Sequence, residues 1–228
     1  MRIGGLQRLT LIDYPGRIAA IVFTQGCNLR CGYCHNPELV VPGRLGPLIS
    51  EESVLEFLEK RRTCLQGVVI SGGEPTLQSD LPDFLKKVKQ LGLAVKLDTN
   101  GTLPDVLERI IRDRLVDYIA MDIKTSLEKY DRVTGVSCPV ESIKKSIRLI
   151  RHSGVEFEFR TTVVKPFCDA GDLEKIRSLL GPSDPYRIQQ FQTGEKIVDP
   201  GLLREDHYSE RDVADLQQKV ANCYESKN

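Results

Sequence analysis

The chain has 228 residues, enough for one large α/β domain with a full core. Lys plus Arg and Asp plus Glu each number 32, so the formal charge is zero, and nucleic acid or an anionic membrane has no electrostatic case as main partner. No apolar run approaches the ~20 residues of a membrane span. The start, Met1-Arg2-Ile3-Gly4-Gly5, lacks the apolar stretch of a secretion signal, and the expected location is the cytoplasm.

The first elements read as a hairpin: Leu9-Thr10-Leu11-Ile12, a turn at Asp13-Tyr14-Pro15-Gly16, then a strand within Arg17 to Thr24. Pro fixes φ and Gly accepts a positive φ, which suits a tight turn. The next stretch, Phe23 to Pro37, reads F-T-Q-G-C-N-L-R-C-G-Y-C-H-N-P and places Cys27, Cys31 and Cys34 at C-x3-C-x2-C. Three thiolates so close suit a soft metal centre, because sulfur selects iron–sulfur clusters, zinc or copper(I) over hard cations. A four-iron cluster takes four ligands, this loop supplies three, and no fourth cysteine follows at ferredoxin-like spacing. One iron is then open to an outside ligand. A disulfide with a spare thiol competes, though nothing marks a secreted protein. A structural zinc site also competes, but it needs four ligands, and His35 abuts Cys34 too closely for both to reach one ion readily. Cys64, Cys138, Cys168 and Cys223 are scattered singly and are expected as small, buried or half-buried apolar residues.

Val41 to Pro47 is a Gly/Pro-rich connection, and Ser50 caps a helix that carries Glu51 and Glu52 at its positive end. Strand and helix patterns then alternate. Strands are expected at Gly67–Ser71, Ala94–Asp98, Tyr118–Asp122, Phe157–Val164 and Arg187–Phe191. Helices are marked by Leu81, Leu85, Val88 and Leu91 with Gly92 as the stop, by Pro104 with Leu107, Ile110 and Ile111, and by Ile143, Ile147 and Ile150 before Gly154. Leu173, Ile176 and Leu180 mark another, and Val213, Leu216 and Val220 suggest a terminal one. Six strands alternating with helices predict a parallel sheet with right-handed crossovers in a single domain spanning residues 1–228. Six units are two short of a complete (β/α)8 barrel, and periodicity leaves a doubly wound sheet open.

Ligands in such folds sit beyond the carboxyl ends of the strands. Polar and glycine-rich residues gather there. The strands end in the cysteine loop, in Ser71-Gly72-Gly73-Glu74-Pro75, in Asp98-Thr99-Asn100-Gly101 and in Asp122-Ile123-Lys124; Arg160 lies on the fifth, and Gln189, Gln190 and Gln192 lie on or beside the sixth. Gly72-Gly73 allows close approach to the main chain. Asp98 and Lys124 are expected to contact a ligand rather than form a plain surface pair. His152 and His207 read as solvated or structural.

C-x3-C-x2-C with Tyr33 before the last cysteine resembles the radical S-adenosylmethionine (SAM) superfamily. The wider run Leu11 to Leu39, with D-Y-P-G before the strand and C-H-N-P after the loop, resembles the glycyl-radical-enzyme activases, in particular those assigned to anaerobic ribonucleoside-triphosphate reductase. The resemblance implies an open (β/α)6 partial barrel with an N-terminal β-hairpin, a [4Fe-4S] cluster on Cys27, Cys31 and Cys34, and SAM. It implies that Gly72-Gly73-Glu74-Pro75 receives the methionyl amino group. The motifs holding Asp98, Asn100, Asp122 and Lys124 would handle the SAM carboxylate and ribose, with Lys124 on the carboxylate. Tyr33, Cys34 and His35 would lie along the adenine, His35 as a packing and hydrogen-bonding residue rather than a base. Arg160 would contact SAM or the partner, and Asp98, Thr99 and Asp122 resemble a monovalent-cation site. Gln190-Phe191-Gln192 departs from the family's histidine contact.

The activity implied is reductive cleavage of SAM to methionine and a 5′-deoxyadenosyl radical, which takes a hydrogen atom from a glycine of a partner enzyme. That partner would be an anaerobic ribonucleotide reductase, with a flavodoxin- or ferredoxin-type electron donor. Alternatives are activation of a pyruvate formate-lyase type enzyme and a small-molecule reaction resembling that of 7-carboxy-7-deazaguanine synthase. A plain electron-transfer protein is a third; the missing fourth cysteine and G-G-E-P argue against it.

Overall fold

The computed structural model describes residues 1–193 and 196–222. Strand β1 (Ile3–Thr10) runs antiparallel to β2 (Ala19–Thr24). Then come β3 (Gly67–Gly72), β4 (Ala94–Thr99), β5 (Tyr118–Asp122), β6 (Glu156–Val163) and β7 (Tyr186–Gln190), each parallel to the one before. The strands follow in sequence across one seven-stranded sheet. Without a reversal of strand order it is not doubly wound, and β1 is not paired to β7 among the described residues, so it is an open partial barrel of six parallel strands with an antiparallel edge.

The helices are α1 (Pro37–Val40), α2 (Glu51–Arg61), α3 (Leu81–Gln90), α4 (Pro104–Arg112), α5 (Tyr130–Thr134), α6 (Val140–Arg151), α7 (Ala170–Leu179) and α8 (Glu210–Asn222). No helix among the described residues is long and apolar enough to cross a membrane. Ser50 caps α2 by accepting from the Ser53 N–H at 3.2 Å. Pro opens α4, and Gly92 after α3 takes a φ of +78°. The apolar stripes are buried as their 3.6-residue spacing demands: Leu81, Phe84, Leu85 and Val88 of α3, with Leu107 and Ile110 of α4, are sealed against the sheet.

Strand geometry sends successive side chains to opposite faces. Ala20 and Val22, Val68 and Ile70, Val95 and Leu97, and Ile119 and Met121 enter the main core beneath the helices. Their neighbours face the concave side, where Ala19, Ile21 and Val69 form a small separate cluster with Tyr14. Tyr14 is 2 % exposed and closes the base of that concave side, so close to Gly67 that a Cβ there would meet its ring at 2.9 Å. The loop before β2 therefore tucks underneath the strands.

Several expectations shift. The first strand lies at Ile3–Thr10 rather than Leu9–Ile12, and Arg17 and Ile18 precede β2. Its Gly-Gly and polar residues hide the strand from pattern reading, since an edge strand pairs through main chain. Leu11 and Ile12 sit exposed in the connection. Cys138 and Cys168 are buried as expected, whereas Cys64 is exposed, because it follows α2 in a surface turn; Cys223 lies outside the described residues.

Candidate active site

A cavity of about 370 Å³ opens at the carboxyl ends of the parallel strands. It is lined by Cys27, Cys31, Tyr33, Cys34, His35, Gly72, Gly73, Glu74, Asp98, Asn100, Asp122 and Lys124, so every expected site residue except Arg160 reaches it. Gln189, Gln190 and Gln192, from β7 and just beyond it, complete one side.

The cysteine loop is held from several directions. Gly72, at φ +106°, turns the chain after β3 so that Gly73 N–H donates to Thr24 O and Glu74 N–H donates to Gly26 O, each at 2.8 Å. A Cβ on Gly73 would lie 2.0 Å from Gly26 O. The glycine pair thus serves close contact between two main chains. Arg30 Nη1 donates to the carbonyls of Cys27 at 2.6 Å and Leu29 at 2.7 Å, while its N–H donates to Thr134 O at the end of α5. Asn100 Nδ2 donates to Asn28 Oδ1, and Asn28 Nδ2 donates to Thr102 Oγ1, which ties the loop to the end of β4. From the carboxyl-terminal side, Asp199 N–H donates to Gly32 O and Val198 N–H to Cys34 O.

Glu74 is buried, and its carboxylate accepts from Thr76 N–H and Oγ1, Thr99 Oγ1 and Asn100 N–H. Burial pushes its carboxyl up in spite of these donors. Its side chain braces the β3 and β4 ends against each other. His35 stacks on Phe191 with ring centroids 5.1 Å apart and shares a hydrogen bond with Gln192 O at 2.5 Å. His207 packs on the same Phe191, with both ring nitrogens buried and without a hydrogen-bond partner, whereas His152 is exposed.

Charges alternate along the concave face. Asp98 Oδ1 accepts from Lys96 Nζ at 2.8 Å; Asp98 Oδ2 accepts from Ser71 Oγ at 3.1 Å and lies 3.5 Å from Arg160 Nη2. Asp122 Oδ1 accepts from Arg160 Nε at 2.9 Å and Oδ2 from Lys124 Nζ at 3.1 Å. Arg160 also faces Glu158 at 3.9 Å. It is therefore placed behind the cavity, holding both aspartates, instead of projecting into it. Burial works against the charge on Asp122, but Arg160 and Lys124 outweigh it and hold the carboxyl at about 2. Burial also opposes the Lys124 charge, and Asp122 overcomes it, keeping the ammonium charged.

The donor set fits the cluster and the SAM that the resemblance implies. Burial pushes the Cys27 thiol up to about 11 and raises that of Cys31, so thiolates there need cationic iron to stay charged. Among the described residues no three His, Cys, Asp or Glu side chains converge as on a single ion. The three thiols share one cavity instead, as ligands to separate irons would. Tyr33, 6 % exposed, has a buried Oη without a hydrogen-bond partner at the same cavity, a donor suited to a bound polar group. The monovalent cation fits poorly, since each oxygen of Asp98 and Asp122 already faces a cation of this chain. Sequence reasoning missed Asn28 and Lys96; the signal for Lys96 was its place two residues before Asp98 in one strand, on the same face.

Comparison with known proteins shows the family. The Radical SAM superfamily model matches residues 21–180. A Methanocaldococcus jannaschii protein assigned to the glycyl-radical enzyme activating enzymes is 38% identical over 196 residues, 83% of this chain and 80% of that one. The pyruvate formate-lyase-activating enzyme of Clostridium pasteurianum is 33% identical over 183 residues, 78% and 74% of the two chains. The 7-carboxy-7-deazaguanine synthase of Methanothermobacter thermautotrophicus is 34% identical over 186 residues, 76% and 72%. The chain belongs to the radical SAM superfamily, whose enzymes use a [4Fe-4S] cluster and SAM, and it is homologous to the glycyl-radical-enzyme activating enzymes.

Proposed function

We propose that this chain is a glycyl-radical-enzyme activase whose partner is an anaerobic ribonucleoside-triphosphate reductase. The observation that carries the reading is the single cavity joining three loop thiols, the Gly72-Gly73 turn and Lys124. The relatives support the activase class, and the run from Leu11 to Leu39 supports the choice of reductase.

In this reading Cys27, Cys31 and Cys34 hold the cluster. Lys124 pairs with the methionyl carboxylate, and the main chain around Gly72 and Gly73 receives the amino group. Tyr33, Cys34 and His35 border the adenine, with Phe191 backing His35. Arg160 acts from behind by fixing Asp122 and, through it, Lys124. A reduced cluster held there would supply the one electron needed for cleavage of SAM to methionine and a 5′-deoxyadenosyl radical able to take a glycine hydrogen atom. The protein's share is positioning and exclusion of water. A flavodoxin- or ferredoxin-type protein supplies the electron.

The test is anaerobic. With SAM and reductant alone, 5′-deoxyadenosine should form slowly; with the cognate reductase it should form faster, and a glycyl-radical doublet should appear by EPR on the reductase. Changing the reductase's target glycine to alanine should abolish the doublet. A doublet on a pyruvate formate-lyase type enzyme instead would keep the activase class and change the partner. The likeness to 7-carboxy-7-deazaguanine synthase favours one other reading, a small heterocyclic substrate. Stimulation by such a compound, with every glycyl-radical enzyme inert, would put that reading in its place.

A further inference from the structure

We propose that the Lys96 ammonium is the resident counter-cation of Asp98, in the network that joins Asp98 to Asp122 through Arg160, and that this chain takes no alkali-metal ion there. Strand geometry delivers it. Lys96 and Asp98 are two residues apart on β4, so both point to the concave face and the lysine stem runs along the strand to the carboxylate. The Lys96 side chain is 2 % exposed, and its nitrogen lies 2.8 Å from Asp98 Oδ1 and 5.8 Å from the centre of the Tyr118 ring. An ammonium held between a carboxylate and an aromatic face, and shut off from water, is fixed in place rather than free to swing out.

The charge count points the same way. Three carboxylates, Asp98, Asp122 and Glu158, meet three cations, Lys96, Lys124 and Arg160. The network is neutral as it stands. A hard cation needs oxygen ligands with charge to spare, and here each aspartate oxygen already faces a nitrogen cation. In the absence of SAM, an added ion would leave a surplus of positive charge beside Lys124. Removing Lys96 would reverse this, leaving one carboxylate uncompensated and room where the ammonium had been.

The experiment compares the anaerobic, cluster-loaded enzyme and its Lys96→Met variant in tetramethylammonium buffer, with KCl or NaCl replacing tetramethylammonium chloride at constant ionic strength. Tm and SAM affinity are read for each. The wild type should show no saturable rise in Tm, and its SAM affinity should change by less than about twofold. Lys96→Met should bind SAM about tenfold or more weakly without alkali ion, and regain affinity and Tm saturably with K⁺ or Na⁺. A saturable rise in wild-type Tm or SAM affinity with either ion would overturn the proposal, and so would a folded Lys96→Met that ignores both. If Lys96→Met does not fold, the wild-type arm decides alone. No partner enzyme is involved, so the result is independent of whether the activase reading stands.

Discussion

The two faces of the same strands follow opposite rules. On β4, Val95 and Leu97 enter an apolar layer beneath the helices, while Lys96 and Asp98, alternating with them, enter a charge network. On β5, Ile119 and Met121 go one way and Asp122 the other. The outer layer is held by contact area, which responds gradually to lost volume. The inner network is held by balance, so removing one member strands its partners. The cavity at the strand ends is an extension of the inner network, since Asp98, Asp122 and Lys124 line it.

The sharpest break should come at the mouth. Replacing Cys27, Cys31 or Cys34 by Ala should abolish cluster-dependent SAM cleavage, whereas Cys64, Cys138 and Cys168 should be replaceable without loss of iron. Anaerobic reconstitution with iron and sulfide counts would test this; two clusters per chain would sink it. Next in size is a matched pair of substitutions. Arg160→Met leaves two aspartates and Glu158 short of a cation, at a cost of ~3–5 kcal/mol. Leu97→Ala opens a cavity in the outer layer at ~2–5 kcal/mol. Denaturant unfolding should show both losses, but only Arg160→Met should also weaken SAM binding by the folded fraction.

Lys124→Ala should spare the cluster while weakening SAM binding. Loss of one side of a partly buried charge pair costs ~2–5 kcal/mol, or roughly 30-fold or more in affinity. SAM titration followed through the cluster's EPR signal would detect it, and an unchanged affinity would remove Lys124 from the site. The smallest effect concerns pH. The Asp122 carboxyl sits at about 2 against an ordinary 3.8, so its contribution is fully present above pH 4 and is lost as pH falls through 2. Because about a third of the side chain is open to solvent (32 %), the contribution is of order 1–2 kcal/mol. The stability gap between wild type and Asp122→Asn should narrow from pH 4 to pH 2; a constant gap would mean the ion pairs contribute nothing.

Much of the sheet was legible because apolar runs bounded by turn residues have few other uses. Tyr118–Asp122 is a strand with the expected bounds, and the strand at Ala94 extends one residue further, to Thr99. The site's constituents were legible because parallel strands gather their carboxyl ends. Their division of labour was not. Arg160 reads as a ligand contact until its three acidic neighbours are seen, and Glu74, which lines the cavity, also holds four donors of its own chain. Lys96 sits between Val95 and Leu97, where an isolated charge suggests a solvated face; its spacing from Asp98 marks the face the two share, and the register with Tyr118 puts it inside. α5 escaped notice because five residues hold too little of a helical period to recognise.

Tyr14 gives the concave side a floor. The turn that carries it folds under the strands and lays its ring against Ala19, Ile21 and Val69, and its ring centre stands 6.1 Å from that of Tyr118. The D-Y-P-G stretch thus acts as a stopper at one end of a vessel whose other end is the cysteine loop. Lys96 is shut off from water before anything binds, so whatever seats itself at the mouth meets a network whose innermost charge is already dry.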